Sequence, residues 1–220
     1  MLLSDAKSYH INGKNVKEMW MGGVQVWTSA PAVSHTELEY LDLKGTGYYF
    51  TTDFIPDVNT SIEYVFAYPT SAPSRGSSQT KTITLWKSPD SKMTASFYAT
   101  YTNNYCTYNF ASFARSGYAT AGKDTLSTNK KYTLKITPTE ASFDGKTATL
   151  ATGTASESTT ALRINCADSS YHMRVYSFRI WDGDTLVREY IPVLKDDAAQ
   201  MYDTVTGTYL TPSSKITSYA

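Results

Sequence analysis

The chain has 220 residues, enough for one large all-β sandwich plus a small appendage and too few for two full domains. Apolar residues make up 41% and aromatics 14%, so there is material for a packed core and a disordered chain is excluded. Twenty Lys and Arg balance twenty Asp and Glu, which removes the whole-chain field that draws proteins to nucleic acid or anionic lipid.

No apolar run approaches the ~18–20 residues that cross a bilayer. The start, Met1-Leu2-Leu3-Ser4-Asp5-Ala6-Lys7, turns polar at once and lacks the apolar centre of a signal peptide, which predicts synthesis in the cytoplasm. Residues 9–27 read as two or three short strands broken at Asn12-Gly13 and Gly22-Gly23, which supply the positive φ of tight hairpins. A hairpin module of this size cannot hold a core of its own. Its apolar residues Val16, Met19, Trp20, Val24, Val26 and Trp27 must therefore pack either on the following domain or on another subunit.

Residues 31–37 have linker composition and separate an N-terminal module, 1–30, from a single β domain, 38–220. From Leu38 onward, β-branched and aromatic residues alternate with polar ones, without a convincing long amphipathic helix. The stretch 69–79, rich in Pro, Ser and Thr, is expected to be an exposed loop. The two cysteines, Cys106 and Cys166, lie in alternating strand patterns and read as small core residues, and neither spacing suggests zinc.

The clearest hairpin runs from Tyr132-Thr133-Leu134-Lys135-Ile136 through Ala141-Ser142-Phe143 to the turn Asp144-Gly145 and out along 146–150. Its Tyr132, Leu134 and Ile136 share one face. A second hairpin has Tyr176–Ile180 reversing at Asp182-Gly183-Asp184 and returning as Leu186–Ile191, where Pro192 is expected to end the strand or confine it to an edge. Strands of this number without intervening helices predict an all-β fold of two antiparallel sheets packed face to face.

Three stretches together carry a resemblance. They are Ile11-Asn12-Gly13-Lys14-Asn15-Val16 with Met21-Gly22-Gly23-Val24-Gln25-Val26-Trp27; Leu38-Glu39-Tyr40-Leu41 with Gly45-Thr46-Gly47-Tyr48-Tyr49-Phe50-Thr51-Thr52 and Ile55-Pro56; and Val175–Asp182, Leu186–Pro192 and Met201-Tyr202-Asp203 with Gly207-Thr208-Tyr209. In order and spacing the chain resembles virion structural proteins of phages and prophages of Gram-positive bacteria that carry a concanavalin A-like, laminin G-like jelly roll. One departure is Ala198-Ala199-Gln200, where a Gly-containing turn is expected.

The resemblance implies a non-enzymatic tail, neck or head-surface component, located in the virion and anchored through residues 1–30. Its implied partners are other virion proteins, with a homo-oligomer and a host cell-surface glycan as further candidates; nucleic acid and membrane are not among them. The alternative is a receptor-binding lectin for wall polysaccharide. Sugar sites stack aromatic rings on pyranose faces, and residues 97–118 offer Tyr98, Tyr101, Tyr105 and Tyr118 with Arg115. If Cys106, Tyr108 and Phe110 point inward, Tyr105 and Asn109 point outward.

A glycan hydrolase is the weakest reading. Such enzymes need two carboxylates at fixed separation, and Glu37, Glu39 and Asp42 lack the Glu-x-Asp-x-x-Glu spacing of the hydrolases of this fold. His10, His35 and His172 read as solvated. No cofactor is implied; Asp182 with Asp184 could seat calcium, but a hairpin tip uses such residues for turning in any case.

Overall fold

A computed structural model describes residues 9–11, 14–16, 18–21, 24–28, 34–44, 47–69, 81–88, 90, 93–99, 104–110, 113–115, 127–150, 158–164, 172–217 and 219–220; for the strands within 9–28, 81–87 and 93–115 it describes the backbone and its pairing. Every regular element among these residues is a strand. The chain forms two compact units, Met1–His35 and Thr36–Ala220.

The first unit holds two antiparallel pairs, β1 (Tyr9–Ile11) with β2 (Lys14–Val16) and β3 (Glu18–Met21) with β4 (Val24–Thr28). Ile11 lies opposite Lys14 and Met21 opposite Val24, so each reversal spans two residues. The turn residues 12–13 and 22–23 themselves lie outside the described residues. Four strands thus stand where two or three were expected.

The second unit begins with β5 (Thr36–Glu37), β6 (Leu41–Lys44), β7 (Phe50–Thr51) and β8 (Thr60–Ala67). It continues with β9 (Lys81–Lys87), β10 (Met93–Ala99), β11 (Asn104–Phe110) and β12 (Phe113–Arg115). Then follow β13 (Tyr132–Ile136), β14 (Glu140–Phe143), β15 (Lys146–Thr149) and β16 (Arg163–Ile164). The last four are β17 (His172–Asp182), β18 (Thr185–Lys195), β19 (Ala198–Asp203) and β20 (Tyr209–Leu210).

A ten-stranded sheet has the order β15-β14-β13-β8-β17-β18-β19-β20, with β5 on β18 and β6 on β17, and a six-stranded sheet has the order β12-β11-β10-β9-β16-β7. Thr36 and Glu37, placed in the linker by composition, pair instead with Leu194 and Val193. The large sheet is therefore entered two residues before Leu38.

The core follows from alternation. Phe143, Leu134, Tyr64, Phe178 and Tyr190 form one row across five strands, and all are buried. Ile136, Ile62 and Ile180 form a second buried row. Burial of each such side chain stabilises by about 1.5–3 kcal/mol. Ring packing adds geometry, with Tyr64 edge-on to Phe178 at 5.6 Å and Tyr132 stacked on Phe143 at 5.3 Å. Phe50 and Ile164 of the small sheet belong to the same buried cluster.

Two turn expectations meet different outcomes. Asp144 (φ 49°) and Gly145 (φ 80°) make the expected hairpin tip. Pro192, however, neither ends β18 nor stands at an edge: the strand continues to Lys195 with neighbours on both sides. β18 changes partner there, pairing with β17 up to Tyr190 and with β5 from Val193. The Pro192 carbonyl accepts from Leu38 N–H at 2.9 Å, so the residue lacking an N–H stands at the handover where the ladder does not require one.

Of the other local expectations, Gly47 has the φ of 91° that only glycine adopts easily, while Gly45 and Thr46 lie outside the described residues. So do the loop 70–79 and Cys166, and the side chain of Cys106.

Ala198-Ala199-Gln200, where a Gly-containing turn is expected, belong to β19 instead, and the turn stands just before them and lacks glycine. Asp196 (φ 50°) and Asp197 (φ 58°) both adopt left-handed conformations between Lys195 and Ala198. Aspartate tolerates this region better than most residues, but glycine does so without a Cβ penalty. Asp197→Gly is expected to stabilise the fold by about 0.5–1 kcal/mol, read as a higher denaturant midpoint at unchanged slope.

Candidate functional site

The tyrosine-rich segment supplies β10, β11 and β12, at one end of the small sheet. Starting from buried Phe50 and Ile164, the pairing runs through Trp86, Ala95, Tyr108 and Arg115 along one row. Tyr98 and Tyr105 are direct register partners, next to Thr82, and fall on the opposite face. Two of the candidate sugar-binding residues are thus brought together, while Arg115 is assigned to the other face. Tyr101 and Tyr118 lie outside the described residues.

In the first unit, Met19 faces Trp27 in register and Val16 faces Tyr9. Trp20 pairs with Gln25 and Val24 with Met21, and Val26 lies between Gln25 and Trp27 in β4, at the register shift. The side chains of these six anchor candidates lie outside the described part.

The outward face of the large sheet is self-neutralised. Ser142, Lys135, Glu63, Arg179 and Glu189 form a register row. Arg179 donates from Nη1 to Glu63 Oε1 at 3.0 Å and from Nε to Glu189 Oε1 at 2.7 Å, and Thr204 Oγ1 donates to Glu189 Oε2 at 2.8 Å. Lys135 lies 4.9 Å from the Trp181 ring centroid, Lys131 4.1 Å from Tyr176 and Arg174 4.4 Å from Tyr40. Cations thus occupy the ring faces that a sugar would need.

The carboxylates with hydrolytic potential are dispersed. Glu37 is exposed on β5, Glu39 pairs with Lys131 at 3.0 Å, and Asp42 is buried under Arg174 (3.2 Å) and His172 (3.3 Å). Glu63 and Glu189 do share a face, but Arg179 stands between them. Burial pushes the Glu189 carboxyl up, yet the Arg179 and Thr204 hydrogen bonds and the Arg179 charge outweigh this and hold it below the usual range. A glycosidic general acid needs the opposite shift.

His172 departs from the solvated expectation: it is partly buried, with Nε2 against Asp42. His35 is half-exposed, and His10 faces Asn15 in β1–β2. Asp182 and Asp184 flank the turn at Gly183, with Asp182 opposite Thr185. Among the described residues, no three His, Cys, Asp or Glu gather as a metal site.

Two clusters carry no sequence signal, because their members are far apart in the chain. Arg188 holds Asp53 through Nε to Oδ1 (2.9 Å) and Nη2 to Oδ2 (3.0 Å), with fully buried Asp203 at 3.4 Å from Nε. Hydrogen bonding to Arg188 holds the Asp53 carboxyl below its ordinary range. Arg163, on β16, has its guanidinium 4.8 Å from the Tyr49 ring and no carboxylate partner among the described residues. The chain matches no protein-family model, and no curated protein is significantly similar to it.

Removing Arg179 leaves two half-buried carboxylates facing each other. Arg179→Gln is expected to cost about 1–2 kcal/mol at neutral pH. Because Glu189 and Asp53 are depressed in the folded state, the stability they add is present above the unfolded carboxylate range near pH 4 and is lost as pH falls through the folded values. Denaturant melts between about pH 6 and 3 should show a shallower acid loss for Arg179→Gln than for the parent.

Proposed function

We propose that this chain is a non-enzymatic structural protein of a bacteriophage virion, with Thr36–Ala220 forming a concanavalin A-like jelly roll and Met1–His35 serving as its anchor. The observation that carries the reading is where the resembling stretches meet. The opening stretch meets the closing one at Leu41, the register partner of Val175, and at Leu38, whose N–H donates to the Pro192 carbonyl at 2.9 Å. A chain whose two ends close one sheet is the arrangement a jelly roll requires.

The two-sheet sandwich is supported by the shared cluster, in which Phe50 and Ile164 of the small sheet join the inward rows of the large one. The anchor role rests on size. Two short antiparallel pairs cannot bury a core of their own, and Val16, Met19, Trp20, Val24, Val26 and Trp27 need a partner surface. Other virion subunits, further copies of this chain among them, supply that surface in particles assembled in the host cytoplasm.

Removal of residues 1–30 tests the anchor. The remainder is expected to stay soluble, with a cooperative unfolding transition, and to be missing from purified particles. Loss of cooperative unfolding would place the first unit in the core instead.

A second reading, a receptor-binding lectin, is favoured by the Tyr98–Tyr105 pair. Stacking on exposed rings is worth about 1–3 kcal/mol per residue in comparable base-stacking sites. A Tyr98→Ser, Tyr105→Ser variant is therefore expected to lower binding to polysaccharide-bearing host walls by about ten-fold or more, in a pull-down where stripped walls set the background.

A further inference from the structure

Beyond β20 the chain leaves the large sheet and reaches the small one within a single residue. Leu210 still pairs with Met201, and Pro212 already bridges to Phe50 of β7, the last strand of the small sheet. Ser213 completes that attachment. Its N–H donates to the Tyr49 carbonyl at 2.8 Å, and its hydroxyl accepts from Tyr49 N–H at 2.9 Å and donates to the Gly47 carbonyl. The segment then returns to the large sheet, where Tyr219 bridges to Leu41. Tyr40 and Ala220 exchange backbone hydrogen bonds, 2.9 Å from Tyr40 N–H and 3.3 Å from Ala220 N–H. Ser218 lies outside the described residues.

Between the two attachments one described side chain goes inward. Ile216 is 4% exposed and belongs to the core cluster, whereas Ser213, Ser214, Lys215 and Thr217 are exposed. The segment 212–220 is thus a strap laid from one sheet to the other and pinned by an aliphatic plug. Its described backbone attachments all go to the stretch 40–50. Neither sheet's own ladder needs it, since β6 keeps β17 and β7 keeps β16 as neighbours.

Two physical features make the strap exchangeable. Few backbone bonds and one buried side chain hold it, which puts it at the low-stability end of the molecule. Its hinge is Thr211 alone, and short hinge loops invite exchange of an element between copies.

We propose that the strap's seat is an interface between copies of this chain, in which the segment 212–220 of one copy leaves its own seat and fills that of a second. The seat itself fixes the partner, because it is already fitted to this sequence: the Tyr49 backbone to Ser213, the core to Ile216 and the Tyr40 backbone to Ala220. The contacts are the same within a chain and between chains, so concentration sets the balance. A tethered segment has an effective concentration on the order of mM, and exchange is therefore favoured where copies are packed together. Reciprocal exchange closes a two-fold dimer, and one-way exchange extends a row of subunits. The inference goes beyond the virion reading and does not depend on it.

The test uses the full chain with Tyr40→Cys and Ala220→Cys. The two positions form a hydrogen-bonded antiparallel pair, whose Cα separation of about 5.5 Å suits a disulfide. A variant with both substitutions is expected to form the bond within one chain. When the two single variants are mixed at about 1 mM and oxidised, a covalent heterodimer linked through positions 40 and 220 is expected. Peptide mapping locates the linkage, because the chain also contains Cys106 and Cys166. The yield should fall about five-fold or more on dilution to about 10 μM, and by a similar factor when the Ala220→Cys chain also carries Ile216→Asp. Ile216→Ala replaces it if the aspartate variant loses its cooperative melt. In hydrogen exchange on the parent, the amides of Tyr40 and Ser213 should open at least about ten-fold more often than those of Tyr64 and Phe178 in the middle of the large sheet.

A double variant that closes within one chain, while the mixed single variants give no 40–220 heterodimer, overturns the exchange. A heterodimer whose yield is indifferent to the change at Ile216 also overturns it, since that reports collision and not a seated strap. Failure of the double variant to close within one chain removes the seat on which the inference stands. Amides of Tyr40 and Ser213 that open only with the whole domain sink the inference as well.

Discussion

The second unit depends on a single irregularity in β17. Met173 and Val175 face the core, and strict alternation from Val175 would turn Ser177, Arg179 and Trp181 inward and expose Phe178 and Ile180. The register against β8 shifts between Val175 and Ser177, where Phe66 and Val65 are consecutive partners but Tyr176 is skipped. The extra residue resets the phase, so Phe178 and Ile180 are buried and Arg179 emerges on the outer face. Every other feature of the large sheet is referred to this strand, because β8, β6 and β18 all take their register from it.

The consequence is electrostatic as well as apolar. With Arg179 outward, its register partners are Glu63 on one neighbour and Glu189 on the other, so one cation serves two carboxylates across three strands. A slip of one residue in either pairing would bury a charge and expose a core residue together. The row therefore reinforces the register that the bulge sets. It also consumes the acidic groups that a hydrolytic centre on this face would require.

Local patterns made part of this architecture readable. The Tyr132–Leu150 meander and the Tyr176–Ile191 hairpin have alternation and turn chemistry contained in about twenty residues each, so both are legible locally, as is the shared face of Tyr132, Leu134 and Ile136. What escaped is non-local or depends on partners. Pro192 is tolerated because β18 changes neighbour beside it, which no window of sequence reveals. The turn at Asp196-Asp197 lacks the glycine that marks such turns, and only the positive φ values identify it. His172 looked like a surface residue until β6 brought Asp42 beside it. Alternation alone turns Tyr105 outward, but its pairing with Tyr98 required the register of β10 and β11.

The zero net charge, taken alone, suggested that electrostatics has little to do with recognition by this chain. Charges in water act over about 8–10 Å at physiological salt, so a partner responds to the local face and not to the sum over the molecule. On the large sheet, Asp42, Glu63 and Glu189 each lie against an arginine of β17, and each of these ion pairs is an internal contact with little field left over. The strands of the large sheet carry seven acidic and seven basic residues and those of the small sheet four basic and no acidic, so the carboxylates that balance the small sheet lie outside the described strands.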